Sequence, residues 1–147
     1  MSKKITGPAL GAMLLALSFP VEAQQSAKVP RVGYLTGATP DGQSARIEAF
    51  RQGLRELGYV EGKNIFVEYR YAQGKLDQFP GLLAEVVQLK PDVLVVETLT
   101  GIHAAKQATK TVPIVMVTTQ DPVATKIIDS LARPGGNITG SPRSLKT

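Results

Sequence analysis

Lys90-Pro91-Asp92-Val93-Leu94-Val95-Val96-Glu97 is the stretch on which the fold turns. Lys90-Pro91-Asp92 breaks a helical pattern, and four aliphatic residues follow without interruption. A strand with one wet face alternates apolar and polar residues. A continuous run between two helical segments is instead the mark of a strand buried on both faces, in a parallel sheet covered by helices. Thr111-Val112-Pro113-Ile114-Val115-Met116-Val117 reads the same way further along the chain.

The segments on either side repeat the alternation. Arg31-Val32-Gly33-Tyr34-Leu35-Thr36 is a short, mostly apolar strand, residues 65–71 make a second, and Ile138-Thr139 begin a fifth. Between them, Ser44 is placed to cap a helix with apolar positions Ile47, Phe50, Leu54 and Leu57, ended by Gly58. Asp77 opens a second helix with Pro80 in its first turn and a stripe of Phe79, Leu82, Leu83 and Val86. A third helix is predicted over residues 101–109, and Asp121-Pro122 predicts the cap and start of a fourth. Alternating elements with short links give an α/β fold. The expected architecture is a doubly wound parallel sheet in the order second strand, first, third, fourth, fifth.

Such sheets bind small molecules outside the carboxyl ends of their strands, at the point where the winding reverses. The loops after the first, third and fourth strands carry the candidates. They are Thr36 and Thr39, then Glu97, Thr98 and Thr100, then Thr118, Thr119 and Gln120. Glu97 ends a buried strand, where a charge needs a reason. It either accepts a ligand's ammonium group or pairs with Lys106.

Composition narrows the rest. Lys3 and Lys4 precede a largely apolar run over residues 9–19, and Val21-Glu22-Ala23 offers the small residue that a signal peptidase prefers. The run is shorter than the about 20 residues needed to span a bilayer. Residues 1–23 are read as a cleaved signal peptide, residues 24–140 as one α/β lobe, and residues 141–147 as a polar, divergent tail. The chain has no cysteine, which excludes disulfides, thiolate metal sites and a lipid-modified cysteine after the signal. A soluble protein of the periplasm is expected.

Without the signal, 15 basic residues face 11 acidic ones, interspersed in sequence. No basic stripe with interleaved aromatics points to nucleic acid. Gly37-Ala38-Thr39-Pro40-Asp41-Gly42-Gln43-Ser44 approaches the spacing of a phosphate-binding loop. Gln43, however, stands where that loop needs lysine, and Pro40 removes a backbone donor. Gly135-Gly136-Asn137-Ile138-Thr139-Gly140 precedes a strand, so no helix N-terminus is aimed at a pyrophosphate. His103 is the only histidine and has no orienting carboxylate at useful spacing. No catalytic set, metal site or cofactor is expected.

Several stretches together resemble the ABC transporter substrate-binding proteins, in the type I branch often labelled tryptophan/tyrosine-type. They are Ala49-Phe50-Arg51-Gln52-Gly53-Leu54-Arg55-Glu56-Leu57-Gly58-Tyr59-Val60-Glu61-Gly62-Lys63-Asn64 and Glu68-Tyr69-Arg70-Tyr71-Ala72-Gln73-Gly74. Residues 104–115 and 121–140 are similar as well. The resemblance implies one Rossmann-like lobe of a two-lobed periplasmic binding protein. Such a receptor captures a small solute, an amino acid or related compound, and delivers it to an ABC permease in the inner membrane. It also implies a second lobe of similar size. Residues 141–147 depart from the family's pattern, so the expectation is a chain truncated to one lobe, open to self-association on the uncovered face. A secreted flavodoxin-like enzyme fragment and a nonfunctional remnant are the alternatives.

Overall fold

The computed structural model describes residues 27–130 and 135–140; the signal peptide and tail readings lie outside the described residues. Five parallel strands form one sheet in the order β2-β1-β3-β4-β5, as the alternation of elements predicts. They are β1 (Arg31–Thr36), β2 (Phe66–Tyr71), β3 (Val93–Glu97), β4 (Ile114–Val117) and β5 (Ile138–Thr139). The helices between them are α1 (Pro40–Glu56), α2 (Phe79–Gln88) and α3 (Leu99–Ala108), with one 3-10 turn at Leu76–Gln78.

Strand residues alternate between two cores, because successive side chains leave a sheet on opposite faces. Leu35, Leu94, Val96, Ile114 and Met116 pack against Phe79, Leu83 and Val86 of α2 and Ile102 and Ala105 of α3. Val32, Tyr34 and Val95 face the other way, onto Ile47, Phe50 and Leu54 of α1. Val115 and Val117 lie on the α1 face and are only half-buried, so α1 covers the β1–β3 side of that face more fully than the β4 side. Gly33 lets α2 approach β1 closely: a Cβ there would come within 2.4 Å of Val86 Cγ1 and 2.7 Å of Leu94 Cδ2.

Several helix boundaries differ from the sequence reading. The second helix proper starts at Phe79, after the 3-10 turn that holds Asp77, and the third spans Leu99–Ala108 instead of residues 101–109. The first helix begins at Pro40 instead of after Ser44. Thr39 is its N-cap, accepting from the Gly42 amide at 3.1 Å, while the Ser44 hydroxyl turns back to the Asp41 carbonyl at 2.9 Å. Proline fits the first helical position because its missing N–H would be unpaired there in any case. The other end closes as expected. Gly58 takes φ +88, with Gly58 N–H on the Arg55 carbonyl and Tyr59 N–H on the Leu54 carbonyl, a Schellman closure.

The helix expected after Asp121-Pro122 is a single turn within the described residues. Asp121 does cap it, accepting from the amides of Val123 (2.8 Å) and Ala124 (3.3 Å). Lys126 then adopts φ 59, and the amides of Ile127 and Ile128 both return to the Pro122 carbonyl. That reversal buries both isoleucines in the core beside α3, and their burial outweighs continuation of the helix.

Candidate functional site

In a parallel sheet every carboxyl end lies along one edge, so Thr36, Glu97 and Val117 finish together. From the neighbouring strands β1 and β3 the chain departs to opposite faces, into α1 and α3. The diverging loops leave a crevice at the switch point. A cavity of about 510 Å³ lies at this edge, lined by Arg46, Leu76, Glu97, Thr98, Leu99, Thr100, Val117, Thr118, Thr119 and Gln120. Its volume lies in the range of small-molecule sites, about 300–1,000 Å³.

Glu97 forms the floor and is 4% exposed. Tyr34 and Thr36, two apart on β1, point to the same face and donate to it, Tyr34 Oη at 2.6 Å and Thr36 Oγ1 at 2.9 Å. Gln43 Nε2 donates to Oε1 at 2.7 Å and to Oε2 at 2.6 Å. Arg46, one helical turn further along α1, places Nη1 3.4 Å from Oε2. These donors occupy both carboxylate oxygens and supply a cation, which is what a buried charge requires. Burial, then the hydrogen bond to Glu97, pushes the Tyr34 hydroxyl well above the usual tyrosine range.

Of the two alternatives open for Glu97, the pairing with Lys106 does not form. Lys106 Nζ instead donates to the Ile127 carbonyl at 2.7 Å, holding the turn after β4 against α3. A ligand's ammonium group could reach Glu97 only by displacing one of the donors already on it.

The loop after β3 is strained. Thr98 sits at φ 69, ψ 147, a region that β-branched residues rarely adopt and that costs about 1–3 kcal/mol. In that conformation its Oγ1 accepts from the Gly101 amide at 3.2 Å and caps α3. Gly37 borders it, with space for a Cβ only 3.2 Å from Thr98 Cγ2. After β4, buried Thr118 accepts from the Gln120 amide at 3.0 Å, while Thr119 and Gln120 are exposed. Leu76, Leu99 and Val117 give the wall its apolar surface.

Among the residues singled out from sequence, Glu97, Thr98, Thr100, Thr118, Thr119 and Gln120 come together around the cavity. Thr36 and Thr39 do not line it. Thr36 is buried beneath, bonded to Glu97 and accepting from the Ala38 amide at 3.2 Å, and Thr39 is taken up as the cap of α1. Gln43 and Arg46 were missed. The available signal was their three-residue spacing on one side of a helix together with the unexplained charge of Glu97. Gln43 thus has a role quite apart from phosphate binding. His103 is exposed on α3, and among the described residues no group of His, Cys, Asp or Glu could hold a metal ion.

This cleft belongs to a known class of protein. The family model described as ABC transporter substrate binding protein matches residues 36–145, and the chain belongs to that family, one of binding proteins and not of enzymes. It is similar to a "Tyrosine-binding protein" of Clostridioides difficile (strain R20291), 32% identical over 94 residues, covering 64% of this chain and 27% of that protein. Among solved structures it resembles a conserved domain protein of Vibrio cholerae, with TM-score 0.70, 35% identity, and coverage of 77% of this chain and 38% of the other. It also resembles the ligand-free, open structure of a substrate binding protein with adhesive properties from Clostridium difficile, with TM-score 0.69, 26% identity, and coverage of 76% and 38%. The chain therefore spans well under half the length of each of these relatives. Among the described residues no helix is long and apolar enough to cross a membrane.

Proposed function

We propose that this chain supplies one wall of an extracytoplasmic receptor that captures an amino acid or a related small compound for delivery to an ABC permease in the inner membrane. The observation that carries the reading is the cavity at the carboxyl edge of β1, β3 and β4. It has a filled carboxylate floor, exposed hydroxyl and amide groups at Thr100, Thr119 and Gln120, and an apolar patch of Leu76, Leu99 and Val117. Few convergent polar groups beside apolar surface are what a small amphipathic solute needs. The likeness to a relative named for tyrosine binding supports an amino acid over a sugar. Export follows from residues 1–23, whose cationic start, short apolar run and Ala23 fit a cleaved signal.

Saturation-transfer NMR with one mixture of amino acids and another of sugars tests the solute class. Transfer to amino acids bearing apolar side chains is expected. Transfer to sugars alone would overturn the reading. Mass spectrometry of the exported protein checks the location: a chain beginning at Gln24 is expected, and retention of residues 1–23 would contradict it.

A further inference from the structure

We infer that Arg46 receives the carboxylate of the bound solute, which makes the ligand of this wall a free carboxylic acid or amino acid. The inference rests on the proposed solute-binding reading and sharpens it.

The charge that a ligand meets in the cavity differs from the charge it contains. Arg46 and Glu97 are the charged residues lining it, and they are not equally accessible. Glu97 has 6% of its side chain exposed, whereas Arg46 has 51%. The carboxylate is closed over by Tyr34, Thr36 and Gln43 at 2.6–2.9 Å, and its contact with Arg46 at 3.4 Å is the longest of the set. Arg46 is therefore tethered through Nη1 but not used up. A guanidinium carries five N–H donors in a planar fork, and one is directed at Glu97. The remaining donors are on a half-exposed group at the rim of a cavity whose other polar lining is neutral. A carboxylate is the ligand group whose geometry that fork matches, through two parallel hydrogen bonds. Leu76, Leu99 and Val117 lie in the same cavity for the apolar remainder of the solute.

The test uses the chain from Gln24 to Thr147 labelled with nitrogen-15, following cleft amides and the Arg46 Nε–Hε resonance. Three compounds share a side chain: L-phenylalanine, L-phenylalaninamide without the carboxylate, and 3-phenylpropionate without the ammonium. L-Phenylalanine and 3-phenylpropionate are expected to shift both Arg46 Nε–Hε and the amides of Thr98, Thr100 and Gln120. The amide should bind about tenfold more weakly, in line with loss of a charge-assisted hydrogen bond. Arg46→Gln should weaken L-phenylalanine to the level of the amide and erase the difference between the two, while R46K should keep part of it. Because Arg46 is half-exposed, both variants are expected to fold, and an unchanged amide fingerprint away from the cleft verifies it. If L-phenylalaninamide shifts the cleft as readily as L-phenylalanine and R46Q alters neither, the role of Arg46 is wrong and the solute-binding reading stands. If none of the three shifts the cleft, both are wrong.

Discussion

Gln43 Nε2 lies 2.6 Å from Glu97 Oε2, tying the first turns of α1 to the last residue of β3 across 54 positions of sequence. The bond fixes the helix on one side of the crevice to the strand end that forms its floor. It also supplies donors to a carboxylate that has little access to water. The cleft is held in shape by a polar network that the apolar core alone would not specify.

Removing a donor from that network should therefore cost stability. Tyr34→Phe is expected to lower the free energy of unfolding by about 1–2 kcal/mol, and Gln43→Leu by about 2–4 kcal/mol, because each leaves the Glu97 carboxylate short of partners. The double change Gln43→Leu with Glu97→Leu should recover part of the loss, since no buried charge remains to be solvated. Urea unfolding followed by circular dichroism measures all three. A double variant less stable than Gln43→Leu would contradict the account.

Alkaline pH should loosen the α1 face of the sheet. Tyr34 is raised above the usual range by burial and by Glu97, and Tyr69 is pushed up to about 12 by burial and by the charge of Glu61. A tyrosine with a raised folded-state pKa contributes its full stabilisation below the unfolded value of about 10 and loses it as pH rises through the folded value. Melting temperature is expected to fall between about pH 10 and 12. Tyr34→Phe should flatten part of that slope. A slope unchanged in this variant would place the titration elsewhere.

Gly33→Ala tests the close approach of α2 to β1. Its Cβ would lie 2.4 Å from Val86 Cγ1, so the helix must shift or Val86 must leave its position. Overpacking of this kind costs about 1–3 kcal/mol. The companion change Val86→Ala, which removes the nearer of the two obstructing methyls and leaves Leu94 Cδ2 at 2.7 Å, should make Gly33→Ala less damaging than it is in the parent chain. Chemical denaturation of the four proteins in the cycle reads the coupling directly.

Affinity should be low for this wall by itself. Enclosure between two lobes buries most of a ligand, whereas the described cavity opens to solvent and leaves Thr100, Thr119 and Gln120 hydrated. Calorimetry with a panel of amino acids is expected to show no saturable heat below the millimolar range, about −4 kcal/mol. One-to-one micromolar binding by a monomer would show that a single wall is a complete receptor.

The sheet was legible in the sequence because burial on both faces writes an uninterrupted apolar run. Val93-Leu94-Val95-Val96 and Ile114-Val115-Met116-Val117 carry that record, and short links between elements then restrict the order of strands. Helix starts were less legible. Thr39 and Ser44 both have capping side chains, and only Pro40 in the first turn distinguishes them. The turn after Asp121 was misread because its end depends on burying Ile127 and Ile128, a tertiary demand that no local pattern expresses. The cleft was legible in its loops but not in its floor. Glu97 could be seen as a charge in need of a partner. Gln43 and Arg46 lie 54 and 51 positions away, and only the folding of α1 over β1 and β3 brings them to it.

The most direct measurement is the map of backbone amides perturbed by L-tryptophan at millimolar concentration. Shifts concentrated at Thr98, Leu99, Thr100, Gly101, Thr118, Thr119 and Gln120 are predicted, with the Arg51–Tyr59–Glu61 groove at the far end of α1 unchanged. Shifts confined to that groove, or none anywhere at the same tryptophan concentration, would contradict the assignment of the carboxyl edge of the sheet as the solute-binding wall.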